Sequence, residues 1–139
     1  MVGVKDATAD LSRICLEREL LRDDFVFLSG EDITALAYNI SGGVGCISVT
    51  ANVAPKACAK LQHACNIGDY ATARTIHDSM VALHRDLFIE PNPSGVKYAC
   101  SLLGLCTEEV RLPLIPISDA TKLKIEHSLA VNPYVEKYT

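Results

Sequence analysis

No clustered basic segment occurs anywhere in the chain, and that absence takes nucleic acid off the list of expected partners. Acidic residues outnumber basic ones, 17 Asp and Glu against 13 Lys and Arg, for a net charge of -4. Also missing is any apolar run near the roughly 20 residues that a membrane span needs. Residues 1–6 have neither the basic start nor the long apolar segment of a signal peptide. No membrane partner is expected, and the expected compartment is the cytoplasm.

Paired cysteine motifs are absent too. Cys15, Cys46, Cys58, Cys65, Cys100 and Cys106 form no C-x-x-C pair and no accompanying H-x-x-x-H, a pattern that favours neither a zinc site nor a disulfide framework. Cys58 and Cys65 share a predicted helix face, but a rise of about 1.5 Å per residue holds their Cα atoms roughly 10 Å apart, too far to bridge. Small, buried hydrophobes is the expected role of these cysteines. His77 and His84 fall on one face of a predicted helix without a third ligand, so packing or surface positions are expected and no metal. No G-x-S-x-G surrounds Ser29. The glycines at 42, 43 and 45 precede a strand instead of opening a helix, the wrong order for a phosphate loop.

What remains is a chain of 139 residues, 49% hydrophobic, suited to one domain of modest size with a real core. Its first third alternates short apolar runs with helical periodicity. Strands are expected near 2–4, 25–28 and 44–49. The continuous run Phe25-Val26-Phe27-Leu28 reads as a strand buried on both faces. Asp10 or Thr8 is placed to cap the first helix, and Gly42-Gly43 to end the second. Strands alternating with helices imply parallel pairing and right-handed crossovers.

Beyond residue 55 the pattern is helical. Pro55 opens one helix, ending at Gly68. Asp69 caps the longest, with Ala73, Ile76, Met80, Leu83 and Leu87 at spacings of three and four. Glu90-Pro91-Asn92-Pro93 is a break, Gly104 stops a short helix, and Pro113 and Pro116 exclude helix between them. Ser118 or Asp119 caps a last helix ending near Pro133.

Lys5 is the residue whose placement suggests chemistry. It stands at the C-terminal end of an apolar strand, where reactive groups gather in barrels and open parallel sheets. A lysine attacks a ketone only when neutral, and apolar surroundings disfavour the ammonium form. A strand-end lysine snorkelling to solvent is the bland alternative.

Gly3-Val4-Lys5-Asp6-Ala7-Thr8 resembles the G-[IV]-K-[ED]-[AS]-[TS] segment around the Schiff-base lysine of the dihydrodipicolinate synthase and N-acetylneuraminate lyase superfamily of pyruvate-dependent class-I aldolases. The likeness continues in order through Phe27-Leu28-Ser29-Gly30-Glu31-Asp32, the stretch from Gly42 to Val53, Glu90-Pro91-Asn92-Pro93, Val96-Lys97 and Leu112-Pro113-Leu114. The "SVTANV" and "EPNP" blocks look like the synthase branch.

The resemblance implies an α/β fold: strands six to eight of a (β/α)8 TIM barrel over residues 1–55, with the last barrel helix and a C-terminal helical region over 56–139. It implies a lyase without a cofactor, in which Lys5 condenses with pyruvate and the enamine attacks aspartate 4-semialdehyde to give 4-hydroxy-tetrahydrodipicolinate, a step of lysine and diaminopimelate biosynthesis. Gly30 and Ile47 match positions lining the pyruvate pocket, Ile47 through its backbone carbonyl. The family's tyrosine proton relay, its pyruvate-binding threonine and its carboxylate-gripping arginine belong to the barrel's first five units. Tyr38, Tyr70, Tyr98, Tyr134 and Tyr138 match none of the family's catalytic tyrosines. The chain by itself is therefore expected to be inactive, and its open strand edges call for a homo-oligomer (a tetramer in the intact family) or a complementing N-terminal half. The alternatives are a non-catalytic oligomeric remnant, or another Schiff-base aldolase or lyase of the superfamily.

Overall fold

A computed structural model describes residues 1–135; Tyr138 lies outside the described residues. Two compact units emerge. The first comprises Met1–Ser48 with Ala59–His77, and the second Val49–Cys58 with the chain from Asp78 onward.

The first unit holds a three-stranded sheet of β1 (Gly3–Asp6), β2 (Val26–Ser29) and β3 (Gly45–Cys46), in that spatial order. Both pairings are parallel, with Lys5 opposite Leu28 and Leu28 opposite Gly45. Between them run α1 (Leu11–Leu20) and, after a 3-10 turn at Asp32–Thr34, α2 (Ala35–Ile40). Asp10 is the N-cap of α1, its carboxylate accepting from the Ser12 amide at 3.0 Å. The cap relieves one of the four orphan donors of a helix start, typically worth about 1 kcal/mol. Ile14 from α1, Phe27 from β2 and Tyr38 from α2 form the buried cluster between helices and sheet.

Two expectations about the strands need correction. β3 is shorter than its β-forming sequence suggests: pairing stops at Cys46, and a 3-10 turn at Thr50–Asn52 takes over soon after. β2 is not buried on both faces. Phe27 and Ser29 are buried, whereas Val26 remains 38% exposed. Successive strand residues point to opposite faces, and only one face is covered among the described residues.

Helix α3 (Pro55–Asn66) begins at its proline and ends before Gly68, whose φ of +76° suits the left-handed stop. Asp69 accepts from the Thr72 amide at 3.1 Å and starts α4 (Tyr70–Asp86). In the second unit, α5 (Ser94–Leu102) and α6 (Asp119–Val131) pack together. Met80, Leu83, Leu87 and Ile125 are fully enclosed there. Ser118 caps α6 and itself donates to Glu90 Oε1 through its amide at 2.9 Å and its hydroxyl at 2.8 Å.

The cysteines depart from the uniform burial expected of them. Cys58 and Cys65 are buried, Cys46 and Cys100 are half-buried, and Cys15 and Cys106 are exposed. Among the described residues no helix is long and apolar enough to cross a membrane.

Candidate functional site

The C-terminal ends of the three parallel strands gather the sequence-derived positions, with Lys5 in the row of Leu28 and Gly45, and Gly30 and Ile47 two positions further on. Asp6 pairs with Ser29 and Ser29 with Cys46, so Gly30 and Ile47 stand one step beyond the paired rows. Two backbone bonds carry the ladders into that step. The Gly30 amide donates to the Asp6 carbonyl at 2.6 Å, and the Ile47 amide to the Ser29 carbonyl at 2.8 Å.

Lys5 lies across Gly30. A Cβ built on Gly30 would fall 2.5 Å from Lys5 Cε, 3.1 Å from Lys5 Cγ and 2.9 Å from Ala7 Cβ. The Ala7 Cβ cannot swing aside as the flexible lysine stem can, so it is the contact that calls for glycine here. Lys5 itself is exposed and Ile47 is 51% exposed. The described residues therefore build a floor under the lysine and leave it open above.

Strand alternation sends the next side chain the other way. Asp6 is 5% exposed on the helix-covered side of the sheet. Its Oδ1 accepts from the Thr8 amide at 2.8 Å and the Thr8 hydroxyl at 2.7 Å, folding the turn that follows Lys5. Arg13 reaches Asp6 Oδ2 at 3.7 Å and Glu17 Oε1 at 2.8 Å. Its guanidinium is held above the ordinary value first by the Glu17 hydrogen bond and then by the Asp6 charge. Tyr38 sits in the same region. Its phenol is pushed up to about 12, chiefly by burial and further by the charges of Asp6 and Glu17. The Tyr38 hydroxyl has no hydrogen-bond partner among the described residues.

A second buried carboxylate joins the other two strand ends. Asp32, 4% exposed, accepts a short hydrogen bond from the Ser48 hydroxyl, and the Cys46 thiol lies 4.0 Å from the same oxygen. The loop containing Gly30 is thereby tied to the loop containing Ile47. Sequence reading singled out Lys5, Gly30 and Ile47 but gave Asp6 and Asp32 no such role. Asp6 could have been found from strand alternation, since it neighbours an exposed lysine; the Asp32–Ser48 bond spans sixteen residues and leaves no local signal.

His77 and His84 share α4. His84 is buried, with Nδ1 at 2.7 Å from the Thr50 hydroxyl, a packing position. Among the described residues no group of three or more His, Cys, Asp or Glu could hold a metal ion.

The chain matches the sequence profile of the dihydrodipicolinate synthetase family over residues 1–132. It is 57% identical over 129 residues to a 4-hydroxy-tetrahydrodipicolinate synthase of Roseobacter denitrificans, an alignment covering 93% of this chain and 44% of that protein. The crystal structure of dihydrodipicolinate synthase from Aquifex aeolicus superposes with a TM-score of 0.92 at 37% identity, over 98% of this chain and 47% of that one. A dihydrodipicolinate synthase variant described as monomeric superposes with a TM-score of 0.90 at 33% identity, over 97% of this chain and 46% of its own. The chain thus spans less than half the length of these relatives.

Proposed function

The chain belongs to the dihydrodipicolinate synthetase family, and from that membership we propose that it furnishes the Schiff-base lysine of a lyase joining pyruvate to aspartate 4-semialdehyde. The product is 4-hydroxy-tetrahydrodipicolinate, an intermediate of lysine and diaminopimelate biosynthesis, and the setting is the cytoplasm. Residues 1–55 are assigned to strands six to eight of the barrel with their helices, and 56–139 to the last barrel helix and the helical region.

The neutral Lys5 amine attacks C2 of pyruvate, and loss of water leaves an iminium. That cation acidifies the pyruvate methyl group, and removal of a methyl proton gives an enamine. The enamine carbon attacks the aldehyde. Cyclisation through the substrate's own amine then expels Lys5. Gly30 and the Ile47 carbonyl would border the bound pyruvate. The observation that carries this reading is the Lys5 side chain laid over Gly30 at the C-terminal edge of the parallel sheet.

Turnover requires more than a lysine. Positioned proton donors alone contribute about 10²–10⁴ in rate, and an electrophile with a carboxylate needs a cationic grip. In this reading those groups come from further residues of the barrel, in the same polypeptide or a separate one, and copies associate to cover the open strand faces. Pyruvate with borohydride tests it. Reduction should fix a pyruvate-derived mass on Lys5. Lys5→Ala should abolish the adduct. Labelling at another lysine, unaffected by Lys5→Ala, removes the assignment. The residues described here should show no measurable condensation until the remaining barrel units are supplied. A second reading, a non-catalytic oligomeric remnant, draws on the exposure of Lys5. It predicts no adduct on Lys5 even when those units are present.

A further inference from the structure

Outside the strand ends, two thiols meet at the end of α5. Their spacing in sequence conceals this, because a helix would carry residues 100 and 106 to different turns. The helix does not continue. The Leu105 amide donates to the Cys100 carbonyl at 3.0 Å and the Gly104 amide to the Ser101 carbonyl at 3.0 Å. With Gly104 at φ +73°, these are the two bonds of a Schellman motif, which folds the chain back along the helix it has just left.

The returning Cys106 sets its sulfur 3.9 Å from the Lys97 carbonyl, one turn before Cys100. Cys100 aims its own thiol at the Asn52 carbonyl, also at 3.9 Å. Cys106 is exposed and Cys100 half-buried. Burial raises the Cys100 thiol above its ordinary value, the adjacent Cys106 thiol raises it further as neighbour and hydrogen-bond partner, and Lys97 opposes both.

We propose that Cys100 and Cys106 form a dithiol modification site that takes low-molecular-weight disulfides and closes to an intrachain disulfide. The accessible Cys106 thiolate attacks one sulfur of the reagent, forming a mixed disulfide and releasing one thiolate. Cys100 then gives up its proton to solvent, and its thiolate attacks the Cys106 sulfur. The protein disulfide forms and the second reagent thiolate leaves. Two protein sulfurs are oxidised while one reagent disulfide is reduced to two thiols. Thiolates are the attacking species, so the second step should quicken with pH. Closure also removes the S–H group that Cys100 directs at Asn52.

The two cysteines share one tryptic peptide, Tyr98 to Arg111, with no Lys or Arg between them. Oxidised glutathione is added to the full chain, remaining thiols are alkylated, and that peptide is mapped without reductant. Closure is expected to give a peptide lighter by two hydrogens, unalkylated, and silent in backbone fragmentation between residues 100 and 106. Cys100→Ser should halt at a stable glutathione adduct on Cys106, and Cys106→Ser should leave Cys100 alkylatable. Both variants are checked by circular dichroism for retained helix, and the wild-type peptide alone decides if either misfolds. A persistent glutathione adduct on wild-type Cys106, or a bridge from Cys100 or Cys106 to any other cysteine within or between chains, overturns the proposal. So does a Cys100–Cys106 peptide that stays fully alkylated while the other cysteines react.

Discussion

The surroundings of the sheet and the helical core from Asp78 onward enclose apolar side chains to different extents. From Asp78 onward, Met80, Leu83, Leu87 and Ile125 lose all exposure. At the sheet, a small cluster of Ile14, Phe27 and Tyr38 is enclosed, while Val26, Val44 and Ile47 keep 38%, 56% and 51% of their surface. Apolar content measures what can be buried, and the two regions use it unequally. The helices from Asp78 onward enclose a core, with Leu123 and Val131 of α6 left outside it at 66% and 61% exposure. The sheet completes one face and presents the other.

Core truncation is the strongest way to break that comparison. Leu83→Ala should cost about 2–5 kcal/mol, the range for enclosed leucines. Val26→Ala should cost less than about 0.5 kcal/mol, as at surface positions. Urea unfolding at low protein concentration measures both. Equal costs would mean that the exposed strand face is covered in solution. Sedimentation then asks whether copies cover it, in which case Val26→Lys should shift the chain towards smaller species.

Two tyrosines sharpen the contrast. Both phenols are pushed up to about 12, for different reasons. Tyr98 is raised first by its short hydrogen bond to Glu126 and then by burial, and Lys122 stands 4.7 Å above its ring. Tyr38 is raised mainly by burial, and its hydroxyl lacks a partner among the described residues. Tyr98→Phe should therefore cost about 1–2 kcal/mol, whereas Tyr38→Phe should be neutral or slightly stabilising. Between pH 10 and about 12 the unfolded chain has lost phenolic protons that the folded chain keeps. Stability should fall as the pH climbs through that interval. Absorbance titration of each Phe variant identifies which phenol is missing.

A smaller effect lies beside Lys5. Ala9 holds φ at 60°, a left-handed conformation that costs a non-glycine residue roughly 1–2 kcal/mol. Glycine relieves the strain but loses more entropy on folding, so Ala9→Gly should stabilise by at most about 1 kcal/mol in thermal melts. The smallest expected signal is acidic and belongs to the helical region. Hydrogen bonds from Thr121 and Ser118 hold Glu90 below its ordinary value of 4.5. Its contribution is complete above that pH and disappears as the pH falls through its depressed value. Glu90→Gln should flatten this part of the acid unfolding curve.

Local chemistry made much of the architecture legible. Asp10 caps where a short polar residue before an apolar helix is expected, and Gly68 and Gly104 stop helices through positive φ. The parallel pairing follows from alternating strands and helices. The length of β3 was not legible, because Val44 to Val49 reads as a strand by composition. In the fold, the Asp32–Ser48 bond and the turn at Thr50 occupy residues that would otherwise extend the ladder. The floor beneath Lys5 shows the same limit. A lysine at a strand end can be seen in one line of sequence. That its stem crosses Gly30, or that Asp6 points the other way into Arg13, depends on register and on partners from other elements.

The last rungs of the two ladders have a consequence in time. The Gly30 and Ile47 amides, donating to Asp6 and Ser29, are the final backbone bonds before the strand ends open. Hydrogen exchange at these two amides therefore clocks the floor under Lys5 with no ligand present. If the floor opens as one piece, both should exchange at a common rate, and weakening the Asp32–Ser48 bond should quicken Ile47 and Gly30 together while the Leu28 amide in the middle of the sheet keeps its slower pace.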